Sequence, residues 1–300
     1  TGVGVMDRLS TLEIFRKVVD RNGFSAAARD LGLSNASVSK AIKELEAQLG
    51  AQLIVRTTRS LHLTDVGQAY YQRVGGVLDA LDDADELVRS ETATPRGRLR
   101  LAAPLSLGLV ALQEALLSFC KTYPDILLDL HMSDAVVDVV GEGFDAAIRG
   151  GNLPDSSLKA RKLMSLDRVV VASPDYLARS VELKRPEDLS RHDALIYSGA
   201  EHSETCILKR DGEAVQVQLR PRLRVNSSIA VKSAAVEGLG IAVTPHVYVR
   251  QALEEGALVQ LLPDWSIEGR ALYVVYPEQR EVSRKLRVLL DHLAETFRER

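Results

Sequence analysis

Cysteine is scarce in this 300-residue chain: only Cys120 and Cys206 occur, far apart and in no metal-type spacing. That excludes a disulfide framework and a cysteine zinc site, and leaves two buried free thiols as the reading. No run approaches the roughly 20 apolar residues of a membrane span, and the N-terminus lacks the charged-then-apolar layout of a signal peptide. A cytoplasmic protein without membrane contact is therefore expected. Enzyme signatures are missing as well, since no HExxH, P-loop or GxGxxG occurs, and Gly238-x-Gly240 reads as a tight helix-to-strand connection. Ser106, His131 and Asp134 form a hydrolytic set only on paper: Ser106 sits in LSLG rather than a GxSxG elbow, and His131 lies inside a strand. No catalytic residue, metal or cofactor is assigned.

Net charge is also small, −3 in total, but it is unevenly placed. Residues 1–64 hold nine Lys/Arg and six Asp/Glu, so a basic head of +3 precedes an acidic body of −6. With 46% hydrophobic residues the chain is long enough for two or three separately cored units. Residues 1–5, TGVGV, precede the Met6-Asp7 that reads as a helix start.

The head reads as three short helices. The first runs from about Asp7 to Arg21, with Leu9, Leu12, Phe15 and Val19 near a 3.6-residue period. Ser25 is the expected N-cap of the second, Phe24 its staple, and Gly32 its left-handed C-cap. The third starts at Ser34 and closes at Gly50, and Val38, Ile42, Leu45 and Leu49 make one apolar stripe that packs back on the first two. The four-residue connection Gly32 to Asn35 fits a helix-turn-helix corner, and Ala26, Ala27 and Ala28 permit close approach. With the stripe inward, Asn35, Ser37, Ser39, Lys40 and Lys43 are left near the helix start or on its outer side. Short polar groups come first and cations behind, which suits a DNA major groove; the alternative is an ordinary solvated helix face. Residues 53–64, LIVRTTRSLHLT, then read as a hairpin with Arg56, Thr57, Thr58 and Arg59 at a basic tip, a wing able to enter a minor groove or clasp backbone.

From Thr64, a good N-cap, a proline-free helical pattern runs to about Ser90, with Val66, Tyr70, Val74, Val77, Leu81, Ala84 and Val88 at three- and four-residue steps. Such a helix extends about 36 Å, too far for the head alone to cover, so a second copy is its simplest cover and packing on its own body the alternative. Gly75-Gly76 weakens it mid-way.

TATPRG, residues 92–97, reads as a linker, after which strand and helix patterns alternate. Strands are expected at 99–104, 126–132, 145–151, 168–173, 194–197, 214–225, 240–245 and 271–277. Helices are expected at 109–123, 135–142, 229–237 and from Ser283 onward. Two chain crossings near 165–168 and 267–271 place a cleft between two lobes. Ligands in such sheets bind beyond the carboxyl ends of strands, where helix N-termini offer free N–H groups. Leu105 and Ser106, Ser133 and Asp134, Arg149, Tyr197, Asn226 and Ser227, and Thr244 and Pro245 meet that description, although each alone is also an ordinary cap or turn residue.

The helix-turn-helix string FSAAARDLGLSNASVSKAIKELEAQLG, the wing string RTTRSLHLTDVG, the long helix and the α/β body together resemble the LysR-type transcriptional regulators, from Met6 onward. The resemblance implies an α/β chain with an N-terminal winged helix-turn-helix at 6–64, a linker and dimerisation helix at 65–91, and an effector-binding domain at 92–300. That domain is implied to be two-lobed and periplasmic-binding-protein-like (type 2), lobe I at about 97–165 and 271–300, lobe II at about 166–270. It further implies DNA reading by Ser34, Asn35, Ser37, Ser39, Lys40 and Lys43 with the Arg56–Arg59 wing. An inducer site is implied near Ser106, Asn226 and Thr244, with Arg149 meeting an anionic group. The implied partners are an interrupted palindromic operator in double-stranded DNA, a small anionic effector, further copies of the chain as a dimer or dimer of dimers, and RNA polymerase. The chain departs from the family pattern at Asn35-Ala36, where Gln-Pro or Gln-Ser is usual, and at Lys40, where Arg is common. Lysine lacks arginine's bidentate fork, which changes the base contact available there. The rival readings are a hydrolase, a thiol redox sensor and a solute-binding protein.

Overall fold

The computed structural model describes residues 7–56, 61–88, 94–151, 158–199, 204–278 and 282–298. Three helices, α1 (Arg8–Asp20), α2 (Phe24–Leu31) and α3 (Asn35–Leu49), are followed by the antiparallel pair β1 (Ile54–Arg56) and β2 (Leu61–Leu63) and by the 24-residue helix α4 (Asp65–Val88). Val38, Ile42 and Leu45 are at most 2% exposed and meet Phe15, Val18, Ala27 and Ala28 in one core, so the α3 stripe faces inward as its spacing requires. Fully burying such side chains is worth about 1.5–3 kcal/mol each.

Several local expectations are corrected. The buried face of α1 is Leu12, Ile14, Phe15 and Val18, while Leu9 is exposed, because α1 packs against α4 as well as α2 and α3 and needs a wider stripe. Gly23, not Ser25, is the N-cap of α2, and Phe24 starts the helix and packs onto the core. Ser34 does cap α3, accepting the Ser37 N–H at 3.0 Å, and Gly32 and Gly50 both take φ +65° as left-handed C-caps.

The wing base is fastened to α4. Thr64 Oγ1 donates to the Gln52 carbonyl at 2.7 Å and accepts the Gly67 N–H at 2.9 Å, and Glu46 of α3 accepts the Leu53 and Ile54 N–H groups at 2.8 and 3.0 Å. Gly67 lies so close to the Leu53 carbonyl that an added Cβ would stand 2.0 Å from its oxygen. Along α4 the expected single seam divides. Val74 and Leu78 join the head core, whereas Val66, Val77, Leu81 and Ala84 are exposed; the Val88 side chain lies outside the described residues.

The body begins with β3 (Gly97–Ala103), the helix α5 (Leu105–Thr122), β4 (Ile126–Met132) and β5 (Ala146–Gly150). Helix α5 is long and apolar enough to cross a membrane by length and composition, but Leu107, Ala111, Leu112, Ala115, Leu116 and Phe119 bury its inner side in the core. No helix forms at 135–142. Asp138 captures the Gly141 N–H and Glu142 the Asp138 N–H, so side chains take the bonds a helix needs and leave turns.

Then follow β6 (Leu158–Ala172), α6 (Pro174–Arg179), β7 (Asp193–Tyr197), β8 (Thr205–Arg210), β9 (Glu213–Gln218), β10 (Arg220–Val225), α7 (Ser228–Val236), β11 (Ile241–Pro245), α8 (His246–Glu254), β12 (Val259–Leu261), β13 (Ser266–Pro277) and α9 (Arg284–Arg298). The expected strand at 214–225 is two strands, and β8–β9 is an unforeseen hairpin turning on Asp211 and Gly212, both at positive φ.

The main path of the sheet runs β10-β7-β11-β6-β13-β5-β3-β4. Strands β6 and β13 pair antiparallel from Leu158 opposite Pro277 to Arg168 opposite Ile267. Their outer partners change along the way: β13 pairs with β5 at Leu272–Val275 and with β8 at Ser266–Ile267, while β6 pairs with β11 beyond Arg168. Two α/β lobes therefore share two long strands, and a cleft opens where the partners change.

Candidate functional site

The outer face of α3 holds Ser39, Lys40 and Lys43 beside Ala36, Glu44 and Ala47. Asn35, Lys40 and Lys43 are exposed and Ser39 is half-buried. Ser34 and Ser37 are less free than their positions promised, since their hydroxyls bond each other at 2.8 Å as part of the cap. Lys40 lies 3.7 Å from Glu44 one turn on, an exposed pair that an incoming phosphate can replace. Arg56 ends β1; Thr57, Thr58 and Arg59 lie outside the described residues.

The interlobe cleft has a volume of about 420 Å³, within the range of small-molecule sites. Four of the expected residues line it: Asp134, Tyr197, Thr244 and Pro245. Ser106 is 2% exposed and its Oγ has no hydrogen-bond partner, so it is a buried polar atom left unsatisfied beside the cleft-lining Pro104 and Leu107. Leu105, Ser133, Asn226 and Ser227 do not line the cleft. The Leu105 N–H is held by Asp134 at 3.0 Å, Ser133 Oγ accepts from Ala135 N–H, Ser227 caps α7 through Ala230 N–H, and Asn226 is exposed. Arg149 is corrected too: it donates to the Val137 carbonyl at 2.5 Å and holds the 135–142 turn.

The cations of the cleft are instead Arg168 and Arg270. Among the described residues neither forms an ion pair, and Arg168 makes one hydrogen bond, a long one of 3.4 Å to the Val243 carbonyl. Burial pulls the Arg168 pKa below its ordinary value, and the nearby Arg270 adds to it. Both arginines sit at the strand crossings, 168 on β6 and 270 on β13, which the sequence marked as cleft boundaries without singling out the residues on them. Tyr197, Ser228 and Tyr248 add polar groups; Ser228 hydrogen-bonds Tyr248, and burial raises both phenol pKa values. Leu107, Leu166, Leu195, Val231 and Ile267 supply an apolar wall.

The rival sites lose their geometry. His131 lies tilted against Phe144, 5.8 Å between ring centroids, and Ser106 Oγ hydrogen-bonds neither it nor Asp134. Cys206 is 1% exposed with its thiol pKa pushed up by burial, the inert rather than the reactive condition; Cys120 is exposed, not buried as expected. No cluster of three or more His, Cys, Asp or Glu able to hold a metal occurs among the described residues.

A winged helix-turn-helix head, a long connecting helix and a two-lobed α/β body with a polar cleft define a ligand-responsive DNA-binding protein. Comparison with known proteins narrows the class. Residues 9–68 match the bacterial regulatory helix-turn-helix family of LysR type, and residues 92–298 match the LysR substrate binding domain. The regulator YhjC of Escherichia coli is 37% identical over 98% of this chain and 99% of its own length, and PtxR of Pseudomonas aeruginosa is 34% identical over 96% and 92%. Among solved structures, the Vibrio cholerae virulence activator AphB is 31% identical with TM-score 0.61, covering 97% of this chain and all of that one. CrgA of Neisseria meningitidis is 31% identical with TM-score 0.62 over 96% and 98%. The chain belongs to the LysR family: it is a transcriptional regulator with a DNA-binding helix-turn-helix and an effector-binding domain, not an enzyme.

Proposed function

We propose that α3 enters the DNA major groove with Asn35, Ser37 and Ser39 toward base edges and Lys40 and Lys43 toward phosphate or guanine, Ser34 fixing the helix start. The wing from Arg56 to Arg59 takes the minor groove or backbone. Division into a head at 6–64, a linker helix at 65–91 and an effector domain from 92 follows from this reading. Two copies pair along the exposed α4 stripe of Val66, Val77, Leu81 and Ala84, which presents two heads to an interrupted palindrome in the cytoplasm. Two such dimers on one operator make the dimer of dimers.

The effector is a small carboxylate or similar anion with an apolar body. One observation carries this: Arg168 and Arg270 face a common cleft without a carboxylate partner, next to an apolar wall. A guanidinium left unpaired in a partly dry site is satisfied by an oxyanion that forks across its donors. Ser106, Tyr197, Thr244 and Tyr248 orient the rest of the molecule. Anion binding draws the lobes together across β6 and β13 and rearranges the DNA-bound oligomer, altering DNA bending and contact with RNA polymerase.

The DNA half is tested by Ser39→Ala combined with Lys40→Ala in gel-shift titrations at two salt concentrations. Operator affinity falls by about 10- to 100-fold while non-specific affinity falls less, as expected for lost base contacts of about 1–3 kcal/mol. An equal loss on both DNAs means these side chains touch only phosphate.

A further inference from the structure

The head does not hang free of the body. Tyr71 of α4 hydrogen-bonds Asp20 of α1, and Arg98 of β3 reaches the same pair, 3.3 Å from the Tyr71 hydroxyl and 3.9 Å from Asp20 Oδ1. Arg98 is braced from its own side by Asp129 of β4 at 2.6 and 3.1 Å, and Arg100 stands 3.5 Å from that carboxylate. Deeper along α4, Asp79 is 7% exposed; it takes Arg16 of α1 at 2.7 Å and is attracted by Lys285 at the start of α9, itself 2% exposed. Gly143, held by Arg100 through the Glu142 and Gly143 carbonyls at 2.7 and 2.9 Å, lies against α4: a Cβ there would stand at ordinary contact distance, 3.4 Å, from the Gln72 carbonyl oxygen.

Two further facts give this contact a meaning. First, no hydrophobic cluster among the described residues spans it: the head core ends at Val74 and Leu78, and the body clusters contain no residue before Leu99. Attraction across the joint is therefore carried by charge and hydrogen bonds, which separate at little hydrophobic penalty; salt weakens the part-exposed Asp20–Arg98 contact, and the buried Asp79 and Lys285 much less. Second, β3 and β4 pair in register from Gly97 opposite Ile126 to Ala103 opposite Met132. Their first halves carry Arg98, Arg100 and Asp129, and their carboxyl ends lead into the cleft-lining Pro104 and Asp134. Joint and cleft are the two ends of the same pair of strands, about 20 Å apart at 3.3 Å per residue.

We infer that Asp20 and Tyr71 of the head and Arg98 of lobe I, with Asp79 and Lys285 beside them, form an intramolecular ionic docking interface that sets the angle between the DNA-reading unit and its own effector domain. Docked and released arrangements are two states of the chain, and lobe I carries one side of the contact on the strands that end at the effector cleft.

The test uses the full-length protein without effector. Asp20→Arg, Arg98→Asp and the charge-exchanged double variant are compared by small-angle X-ray scattering and by amide hydrogen exchange over residues 68–72 and 97–100. Each single variant gives a larger radius of gyration and about tenfold faster exchange in both segments, the factor matching about 1.4 kcal/mol of lost docking. The double variant returns part of both, because the head–body pair is restored with its charges reversed while position 98 now opposes Asp129. Tyr71→Phe, which removes one hydroxyl, falls between. If a single variant loses its far-UV circular dichroism, wild type alone decides: raising NaCl from low to molar concentration expands it and speeds exchange in these two segments selectively. Unchanged scattering and exchange in the folded single variants, a double variant no closer to wild type than its singles, or salt-independence of wild type overturns the inference.

Discussion

Replacing Arg168 by methionine raises the stability of the effector-free protein while removing its anion response. The guanidinium is part-buried on β6, lacks a carboxylate partner among the described residues, and keeps one 3.4 Å hydrogen bond, so its charge is only weakly compensated. Exchanging buried ionic groups for packed apolar ones stabilises by about 1–4 kcal/mol. Because Arg168 retains some contact with cleft water, the low end applies, ~1 kcal/mol. Methionine is unbranched and flexible, and it fills the stem's space beside Leu166, Val243 and Ile267 with little strain. For a unit of roughly 200 residues, ~1 kcal/mol moves the thermal midpoint by about 2–4 °C. The assay is thermal unfolding of the full-length Arg168→Met variant followed by circular dichroism, with DNA binding measured alongside. A lower midpoint refutes the reasoning, because it makes Arg168 a structural group serving the Val243 carbonyl instead of an anion.

Two further perturbations report on the head and on lobe II. Gly67→Ala gains about 1 kcal/mol of helix propensity but drives a Cβ to 2.0 Å from the Leu53 carbonyl oxygen, so overpacking of about 1–3 kcal/mol or more wins; Gly75→Ala, with nothing within 4 Å, shows the gain alone. Urea melts check the opposite signs, and equal signs remove the argument. His192, 1% exposed with Nδ1 3.2 Å from the Tyr176 hydroxyl and Nε2 unpartnered, has its pKa lowered from 6.5 chiefly by burial. The unfolded chain then takes up the proton first, so stability is full above pH 6.5 and is lost as pH falls through the folded value. Melting midpoints between pH 7.5 and 5 should drop more in wild type than in His192→Gln, and parallel curves would count against the assignment.

Local signals carried the head well. The α3 stripe, the Ser34 cap and the two glycine C-caps depend on residues within one helix or its ends, and spacing alone finds them. Where more than one neighbour sets the burial, the pattern narrowed too far: α1 buries Ile14 and Val18 because α4 crosses it, and α4 turns Val74 and Leu78 into the head core. At 135–142 the side chains of Asp138 and Glu142 take the bonds a helix needs, and Asp211-Gly212 turns β8 into β9 at positive φ, so the expected strand at 214–225 is shared between a hairpin and β10. The cleft was legible as a place and in part as side chains, since Asp134, Tyr197, Thr244 and Pro245 line it. Caps such as Ser227 and Asn226 have the right composition and face elsewhere; Arg168 and Arg270 meet only because β6 and β13 run antiparallel across both lobes, a pairing between residues about a hundred positions apart.

Thr64, Gln52, Leu53 and Gly67 fasten the base of the wing to α4. The reading helix is tied to the same wing base through Glu46, so helix, wing base and shaft share one orientation. In the proposed pairing along α4, two such shafts form a caliper of preset opening. An operator whose half-sites are wrongly spaced is then fitted by deforming the nucleic acid, not the protein.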